Sequence, residues 1–364
     1  VNATQAAVDL DDAEGLLAAD REGLLRSASM AGAQVRATAA ALDEGDLDPL
    51  KSDQPPRTVV WVAGRGNAET AGVMLSAMLG GSAAAPIVVA SEVPPWIGAL
   101  DVLVLAGDDP GDPALVSAAA TAVRRGARVA VVAPYEGPLR DATAGRSVPL
   151  APRVWVRDDF SLTRYLAAGL AVLQAVDPAL RVDLAALADE LDAEAFRNSA
   201  GRELFTNPAK TLAERMSGRD VVLVGDNAAT LALARHGSAI MLRIAHQTVA
   251  AVGLADALVA VQGGMGGESG VDREKSIFHD EQIDGPLPRR VRTFVLATDA
   301  ERPVVAARVG GLDDVVVINA EDVPEISDAP EVAVADATGR PEQQLAMLAV
   351  RLEMTATYLR LVRG

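Results

Sequence analysis

Short, almost wholly apolar runs separated by helical stretches constrain this chain more than any other feature. Residues 58–62 (Thr-Val-Val-Trp-Val), 86–90 (Pro-Ile-Val-Val-Ala), 102–105 (Val-Leu-Val-Leu) and 127–132 (Ala-Arg-Val-Ala-Val-Val) do not alternate apolar with polar. A strand that shows one face to water alternates, whereas a strand buried on both faces need not. Residues 69–78 and 113–125 lie between these runs and have helical spacing. The combination predicts a parallel sheet with helices on both faces.

The pattern then occurs a second time. Residues 220–224 run into Gly225, residues 228–235 suit a helix, and 257–261, 292–296, 315–318 and 332–334 are strand candidates. A length of 364 residues fits two domains of roughly 150 residues each. The expected fold class is therefore α/β, with two doubly wound parallel-sheet domains.

Helical segments frame these units. Leu16, Leu17, Leu24, Leu25, Met30 and Val35 recur at helical spacing within 10–42, and Asp11-Asp12-Ala13-Glu14 suits the positive end of a helix dipole. Residues 44–56 are polar and contain Pro, which reads as a linker. Leu162, Leu166, Leu170, Leu173 and Val176 form one face of a helical stretch over 159–191. Pro208 opens a helix to Met216 at its favoured first turn. Residues 341–363 read as an amphipathic helix lined by Leu345, Leu348, Leu352, Thr355 and Leu359. The expected division is a helical arm (1–56), a first sheet domain (57–150), a helical connector (151–206), a second sheet domain (207–340) and a closing helix (341–364).

Composition excludes several functions. Asp+Glu outnumber Lys+Arg by 50 to 33, a formal net charge of −17, which argues against displacing phosphate counterions from a nucleic acid. With no Cys, thiolate catalysis, disulfides and Cys-ligated zinc are out. His236, His246 and His279 share no metal-binding spacing, so neither metal nor cofactor is expected. Aromatic residues make up 3% of the chain, so stacking platforms are scarce. No apolar run reaches the roughly 18–20 residues of a membrane span. Val1-Asn2-Ala3-Thr4 lacks the basic-then-apolar pattern of a secretory signal, and a cytoplasmic location is expected. Three Lys against thirty Arg read as codon usage.

Four loops carry the candidate chemistry. Residues 63–70 (Ala-Gly-Arg-Gly-Asn-Ala-Glu-Thr) follow a strand and precede a helix, where a phosphate cradle belongs. There Gly64 and Gly66 permit close backbone approach, Arg65 offers a charged fork, and Asn67 and Thr70 offer donors. A tight strand–helix turn without a ligand is the alternative. Residues 106–113 (Ala-Gly-Asp-Asp-Pro-Gly-Asp-Pro) contain no Ser or Thr. Carboxylates there repel a phosphate dianion by about 1 kcal/mol or more per close pair even in high dielectric. Gly107 and Asp108, with Asp109 and Asp112, could instead meet sugar hydroxyls or a hard cation, or form an exposed turn that caps the next helix. Gly225 and Asn227 are the counterparts in the second unit. Neither Gly64-Arg-Gly66 nor Gly225-Asp-Asn-Ala228 completes a dinucleotide fingerprint.

The fourth loop, 262–290, begins Gly263-Gly-Met-Gly-Gly267 and then concentrates Glu268, Asp272, Arg273, Lys275, His279, Asp280 and Glu281. It reads either as a surface insertion or as a functional loop. As a functional loop it would hold a Glu281 or Glu268 base with a His279 acid. Alternatively, Met265 and Phe278 would anchor a partner.

Two tandem α/β units with a helical arm and a closing helix resemble the double sugar-isomerase (SIS) architecture of the bifunctional phosphoglucose/phosphomannose isomerase family. Within it the chain looks like the divergent TobH-type proteins found near mannose-phosphate metabolism genes. Asp20-Arg-Glu-Gly-Leu-Leu25, Pro86-Ile-Val-Val-Ala90 with Pro94-Pro-Trp96, and Asn207-Pro-Ala-Lys210 carry the resemblance. It implies a homodimer that binds a sugar phosphate at the carboxyl ends of its strands. It also implies a hydroxyl-rich phosphate loop, a Glu, a His and a Lys, and here the chain departs. The loop 106–113 lacks hydroxyls. The segment some 18 residues past Gly225 is Ile240-Met-Leu-Arg-Ile-Ala-His246, with no carboxylate between Asp226 and Asp256. His246 remains a formal candidate base. Nothing after Lys275 is Lys, and the last helix offers Arg351, Arg360 and Arg363, which stay protonated. The expectation is a catalytically degenerate relative that binds a carbohydrate derivative or acts with a protein partner as a regulator or scaffold. The alternative is an active aldose–ketose isomerase with relocated acid and base. No nucleic acid or membrane is expected as partner.

Overall fold

A computed structural model describes residues 8–265, 291–321 and 340–363. The chain forms two compact units. One comprises Arg21–Ser199 with Arg340–Arg351; the other comprises the described parts of Val1–Asp20, Ala200–Gly339 and Leu352–Gly364.

The first of these units is built on five parallel strands: β1 (Thr58–Val62), β2 (Ile87–Ala90), β3 (Asp101–Ala106), β4 (Arg128–Val132) and β5 (Val148–Pro149), in the order β2-β1-β3-β4-β5. Every residue of β1 and β3 is buried, which is why their sequences do not alternate. Helices α4 (Gly66–Leu79), α5 (Pro113–Arg124), α6 (Gly137–Thr143) and α7 (Leu162–Val176) belong to the same unit. Val60, Val62, Leu103, Leu105, Leu115 and Leu139 lie in its core.

Three expectations for this unit and the arm need correction. The helical segment 10–42 is divided into three helices: α1 (Ala13–Ala19), α2 (Leu24–Ala28) and α3 (Ala31–Asp43). Asp12 does start α1, its side chain accepting from the Gly15 N–H at 2.8 Å. Gly23, at φ +66°, takes a left-handed conformation that a helix interior cannot contain. The polar stretch 44–56 is no free linker. Leu47 and Leu50 are buried around a 3₁₀ turn, Asp48–Leu50, and Arg128 Nη1 donates to the Leu50 carbonyl at 2.6 Å. The helical stretch 159–191 is α7 followed by α8 (Leu184–Arg197). Between them the Asp177 carboxylate accepts from the Ala84 and Ala179 N–H groups, next to Pro178. Strand β5 and helix α6 are elements the sequence did not announce.

The second unit carries four parallel strands: β6 (Asp220–Gly225), β7 (Ala250–Gly253), β8 (Val291–Leu296) and β9 (Val315–Ile318), in the order β7-β6-β8-β9. Helices α9 (Pro208–Met216), α10 (Ala228–Arg243), α11 (Leu254–Gln262) and α12 (Arg302–Val309) accompany them. The strand expected at 257–261 is part of α11, and the edge strand is β7. Leu254 and Ala257 are buried while Val259 is 72% exposed, so one helical face is covered. A short apolar run does not distinguish a strand from such a helix by periodicity. The strand expected at 332–334 lies outside the described residues.

The motif Asn207-Pro-Ala-Lys210 has a structural explanation. Asn207 Oδ1 caps α9 by accepting from the Lys210 N–H at 2.9 Å, and Pro208 occupies the first turn. Lys210 Nζ donates to the Ala200 and Arg202 carbonyls at 2.8 Å and lies 5.6 Å from the Tyr358 ring. Burial pushes its ammonium below the usual lysine range, against the charges of Asp11 and Asp9. Asn207→Ala is expected to lower stability by about 1–2 kcal/mol through loss of the cap. Urea denaturation checks this as a lower midpoint at unchanged slope.

The closing helix α13 (Pro341–Arg363) forms over the expected range but is not amphipathic. Arg351, Glu353, Thr355 and Thr357 are buried together with Leu352 and Leu359. Buried charges are tolerated when paired. Arg351 Nε donates to Glu194 Oε1 at 2.8 Å and its Nη2 to Oε2 at 3.2 Å. Arg197 and Asn198 add donors to the same carboxylate. His236 Nε2 lies 3.1 Å from Glu353 Oε1, both side chains buried.

Candidate functional site

In a doubly wound sheet, ligands bind beyond the carboxyl ends of the strands where the strand order reverses. In the first sheet that point is between β1 and β3, which pair with Val62 opposite Leu105. The loops 63–66 and 107–112 therefore emerge side by side.

The first loop brings Gly64, Arg65 and Gly66 to this edge. Gly66 opens α4 at φ +65°, a conformation that favours glycine, whereas Gly64 has open space where a Cβ would stand. Arg65 has extended backbone. Asn67 turns away from the crevice: its Nδ2 donates to the Asp158 carbonyl at 2.8 Å, the Asp159 carbonyl at 3.2 Å and Ser161 Oγ at 3.1 Å. Thr70 Oγ1 donates back to the Gly66 carbonyl at 3.1 Å. Two of the expected donors are thus structural. Asn67→Ala would remove the hydrogen bonds that tie the start of α4 to the segment 158–161 and is expected to lower stability by about 1–3 kcal/mol. A scanning calorimeter reads this as a lower Tm.

The second loop is organised by its own acids. Asp112 caps α5 by accepting from the Ala114 N–H at 2.8 Å, as the capping alternative predicted. Asp109 accepts from the Gly111 N–H at 2.7 Å. No cluster of three or more His, Asp or Glu among the described residues is placed to hold a metal ion, so the cation reading of Asp108, Asp109 and Asp112 has no support. Asp108 faces different chemistry: its charge, with that of Asp158, acts on Tyr165. Burial, the largest influence, pushes the Tyr165 hydroxyl up to about 12, against the opposing charge of Arg164, so it remains protonated at neutral pH. Tyr165 and Arg164 were hidden in the helical pattern of α7, where only the Leu face was legible.

In the second sheet the order reverses between β6 and β8. Gly225 ends β6 against the start of α10: a Cβ there would lie 2.2 Å from the Leu231 backbone nitrogen. Asn227 closes a capping box with Thr230, accepting from the Ala229 and Thr230 N–H groups at 2.8 and 2.9 Å. Its Nδ2 donates to Glu301, whose other oxygen accepts from the Thr298 N–H and Oγ1 at 2.9 and 2.7 Å. Asp226 pairs with Arg308 at 2.6 Å. Glu301 is a carboxylate at the switch point that the count of residues past Gly225 missed, because it comes from the neighbouring strand's loop.

His246 is exposed at φ +52° in the turn after α10. Histidine tolerates this left-handed position, which accounts for it structurally. Glu268, His279 and Glu281 lie outside the described residues, as does Phe278.

No family profile matches the chain, and no curated protein matches it. Solved structures do. Tagatose-6-phosphate ketose/aldose isomerase from Escherichia coli superposes with a TM-score of 0.57 at 15% identity, covering 96% of this chain and 91% of that one. The C-terminal domain of glucosamine-fructose-6-phosphate aminotransferase from Francisella tularensis gives 0.57 at 11% identity, covering 96% of each chain. A glucose-6-phosphate isomerase like protein from Thermus thermophilus gives 0.51 at 19% identity, covering 98% and 94%. The chain has the α/β fold of the SIS-type phosphosugar isomerases, over nearly its whole length. No helix among the described residues is long and apolar enough to cross a membrane.

Proposed function

We propose that this chain is a phosphosugar-isomerase-like protein that no longer interconverts hexose phosphates and serves glucose- or mannose-phosphate metabolism as a carbohydrate-derivative-binding, regulatory or scaffold protein. On the resemblance of its sequence motifs, this reading assigns it to the TobH-type branch of the bifunctional phosphoglucose/phosphomannose isomerases, acting as a homodimer in the cytoplasm. One observation carries the reading: among the described residues, five polar side chains at the two crevices are committed to the fold. Asn67, Asp109, Asp112, Asn227 and Glu301 each hold a helix cap, a turn or a neighbouring loop. A proton shuttle needs a group free to gain and lose a proton at the substrate. A phosphate dianion also meets Asp108 and Asp109 where an isomerase of this fold would offer hydroxyls.

The cationic backbone edge at Gly64-Arg65-Gly66 is the remaining anchor for a sugar derivative. A thermal-shift titration with glucose, mannose and fructose 6-phosphates tests this. A ligand that binds the native state raises apparent stability by RT ln(1+[L]/Kd). The expected shifts are absent below millimolar ligand and are lost in Arg65→Ala. Saturation at micromolar hexose phosphate would contradict the proposal.

A further inference from the structure

Away from the strand-order reversals, the first-sheet unit contains a cleft of about 380 Å³, within the roughly 300–1,000 Å³ of small-ligand sites. It lies between the end of α3, Gln174 of α7, the segment 181–185 that opens α8, and Arg340 just before α13. No residue of the loops 63–67 or 107–112 lines it. No aromatic residue lines it either, so it offers no stacking platform for a base.

One of the four charged residues in this lining is committed to the fold. Asp183 caps α8, its Oδ1 accepting from the Ala186 N–H at 2.9 Å. Arg340 Nη1 donates to the Arg181 carbonyl at 2.8 Å. That contact holds one arginine against the backbone of the other and neutralises neither guanidinium. Among the described residues, Arg181, Arg340 and Asp43 make no ion pair. Elsewhere in the unit Arg36, Arg57, Arg153 and Arg157 each meet a carboxylate. All three unanswered residues are exposed, so a ligand can reach them. Opposite charges thus line one cleft without meeting, and a molecule that carries both signs answers them together. Leu42, Val182 and Leu184 supply apolar wall beside them.

We propose that this cleft binds a free aliphatic α-amino acid, with its carboxylate on Arg181 and Arg340, its ammonium on Asp43 and its side chain against Leu42, Val182 and Leu184. The planar guanidinium suits a carboxylate. A phosphate dianion fits poorly, because Asp43 and Asp183 repel it. A simple carboxylate leaves Asp43 unanswered, and a simple amine leaves both arginines so. The site is separate from the crevices and stands whether or not those bind sugars.

Isothermal titration of the full chain with L-leucine, 4-methylpentanoate (no ammonium), 3-methylbutylamine (no carboxylate) and inorganic phosphate tests the proposal. The expected result is saturable one-to-one binding of L-leucine, with each of the others at least about threefold weaker, the worth of an ion pair open to water. Asp43→Asn should bind L-leucine no better than 4-methylpentanoate. The double variant Arg181→Gln, Arg340→Gln should bind L-leucine no better than 3-methylbutylamine. The three positions are exposed, so these substitutions are expected to leave the fold intact. No saturable binding of L-leucine, an analogue or phosphate that binds as tightly as L-leucine, or L-leucine affinity unchanged in either variant would overturn it.

Discussion

Arg351→Met should lower the unfolding free energy by about 3–5 kcal/mol, the loss expected when one member of a buried ion pair is removed. Glu194 and Arg351 have side-chain exposures of 0% and 1%. After the substitution Glu194 keeps Arg197 and Asn198, but Arg197 is 25% exposed and a weaker counter-charge. The loss comes from a stranded carboxylate rather than from a missing attraction. Glu194→Leu combined with Arg351→Met should therefore recover much of the stability, because an apolar pair of similar volume avoids desolvating charge. A double-mutant cycle by urea denaturation reads both effects.

The same pair makes a pH prediction with a definite sign. Burial pushes the Glu194 carboxyl up, but the charge and hydrogen bonds of Arg351, with Arg197 and Asn198, outweigh it and hold the carboxyl below its ordinary range. Its contribution in the wild type is present above the unfolded value of about 4.3 and is lost as the pH falls below it. In Arg351→Met the burial dominates and the folded value rises above the unfolded one. The variant then loses stability as pH rises through that raised value, so its deficit in Tm should narrow on acidification from pH 7 to pH 5. A deficit that is constant over this interval would mean that Arg351 acts through packing alone.

Gly225→Ala should cost about 1–3 kcal/mol, the range for forcing extra volume into a close-packed contact. The added Cβ would lie 2.3 Å from the Thr230 carbonyl carbon and 2.6 Å from the Leu231 Cα. These are backbone atoms at the start of α10, which cannot rotate aside. The helix must shift, and the capping box of Asn227 and Thr230 shifts with it. Faster amide exchange at 229–231 would report this. Gly64→Ala is the control: with open space around its Cβ it should change stability by less than about 0.5 kcal/mol. Two glycines that look alike in sequence, each lying between a strand and a helix, are expected to respond differently.

That contrast shows how much was legible in the sequence. Unbroken apolar runs advertise parallel strands, so β1, β2, β3, β4, β6, β8 and β9 fell where expected. The edge strands β5 and β7 did not. β5 is two residues long, β7 is Ala-Ala-Val-Gly, and the apolar run beside β7 belongs to α11. Helix breaks depended on single residues, Gly23 and the Asp177-Pro178 pair, whose effect a leucine periodicity conceals. At the crevices, the identities of the polar residues were readable but their partners were not. Asn67 meets residues more than ninety positions along the chain, and Asn227 meets Glu301 across 74. Such long-range pairing decides whether a side chain serves a ligand or the fold.

The central claim is that, among the described residues, the crevices hold polar groups committed to structure and no group placed to shuttle a proton. Incubating the pure protein with fructose 6-phosphate and following glucose 6-phosphate and mannose 6-phosphate by coupled assay tests it most directly. The account predicts no product above the uncatalysed background at any pH from 6 to 9. Sustained turnover that disappears in Glu281→Gln would contradict it.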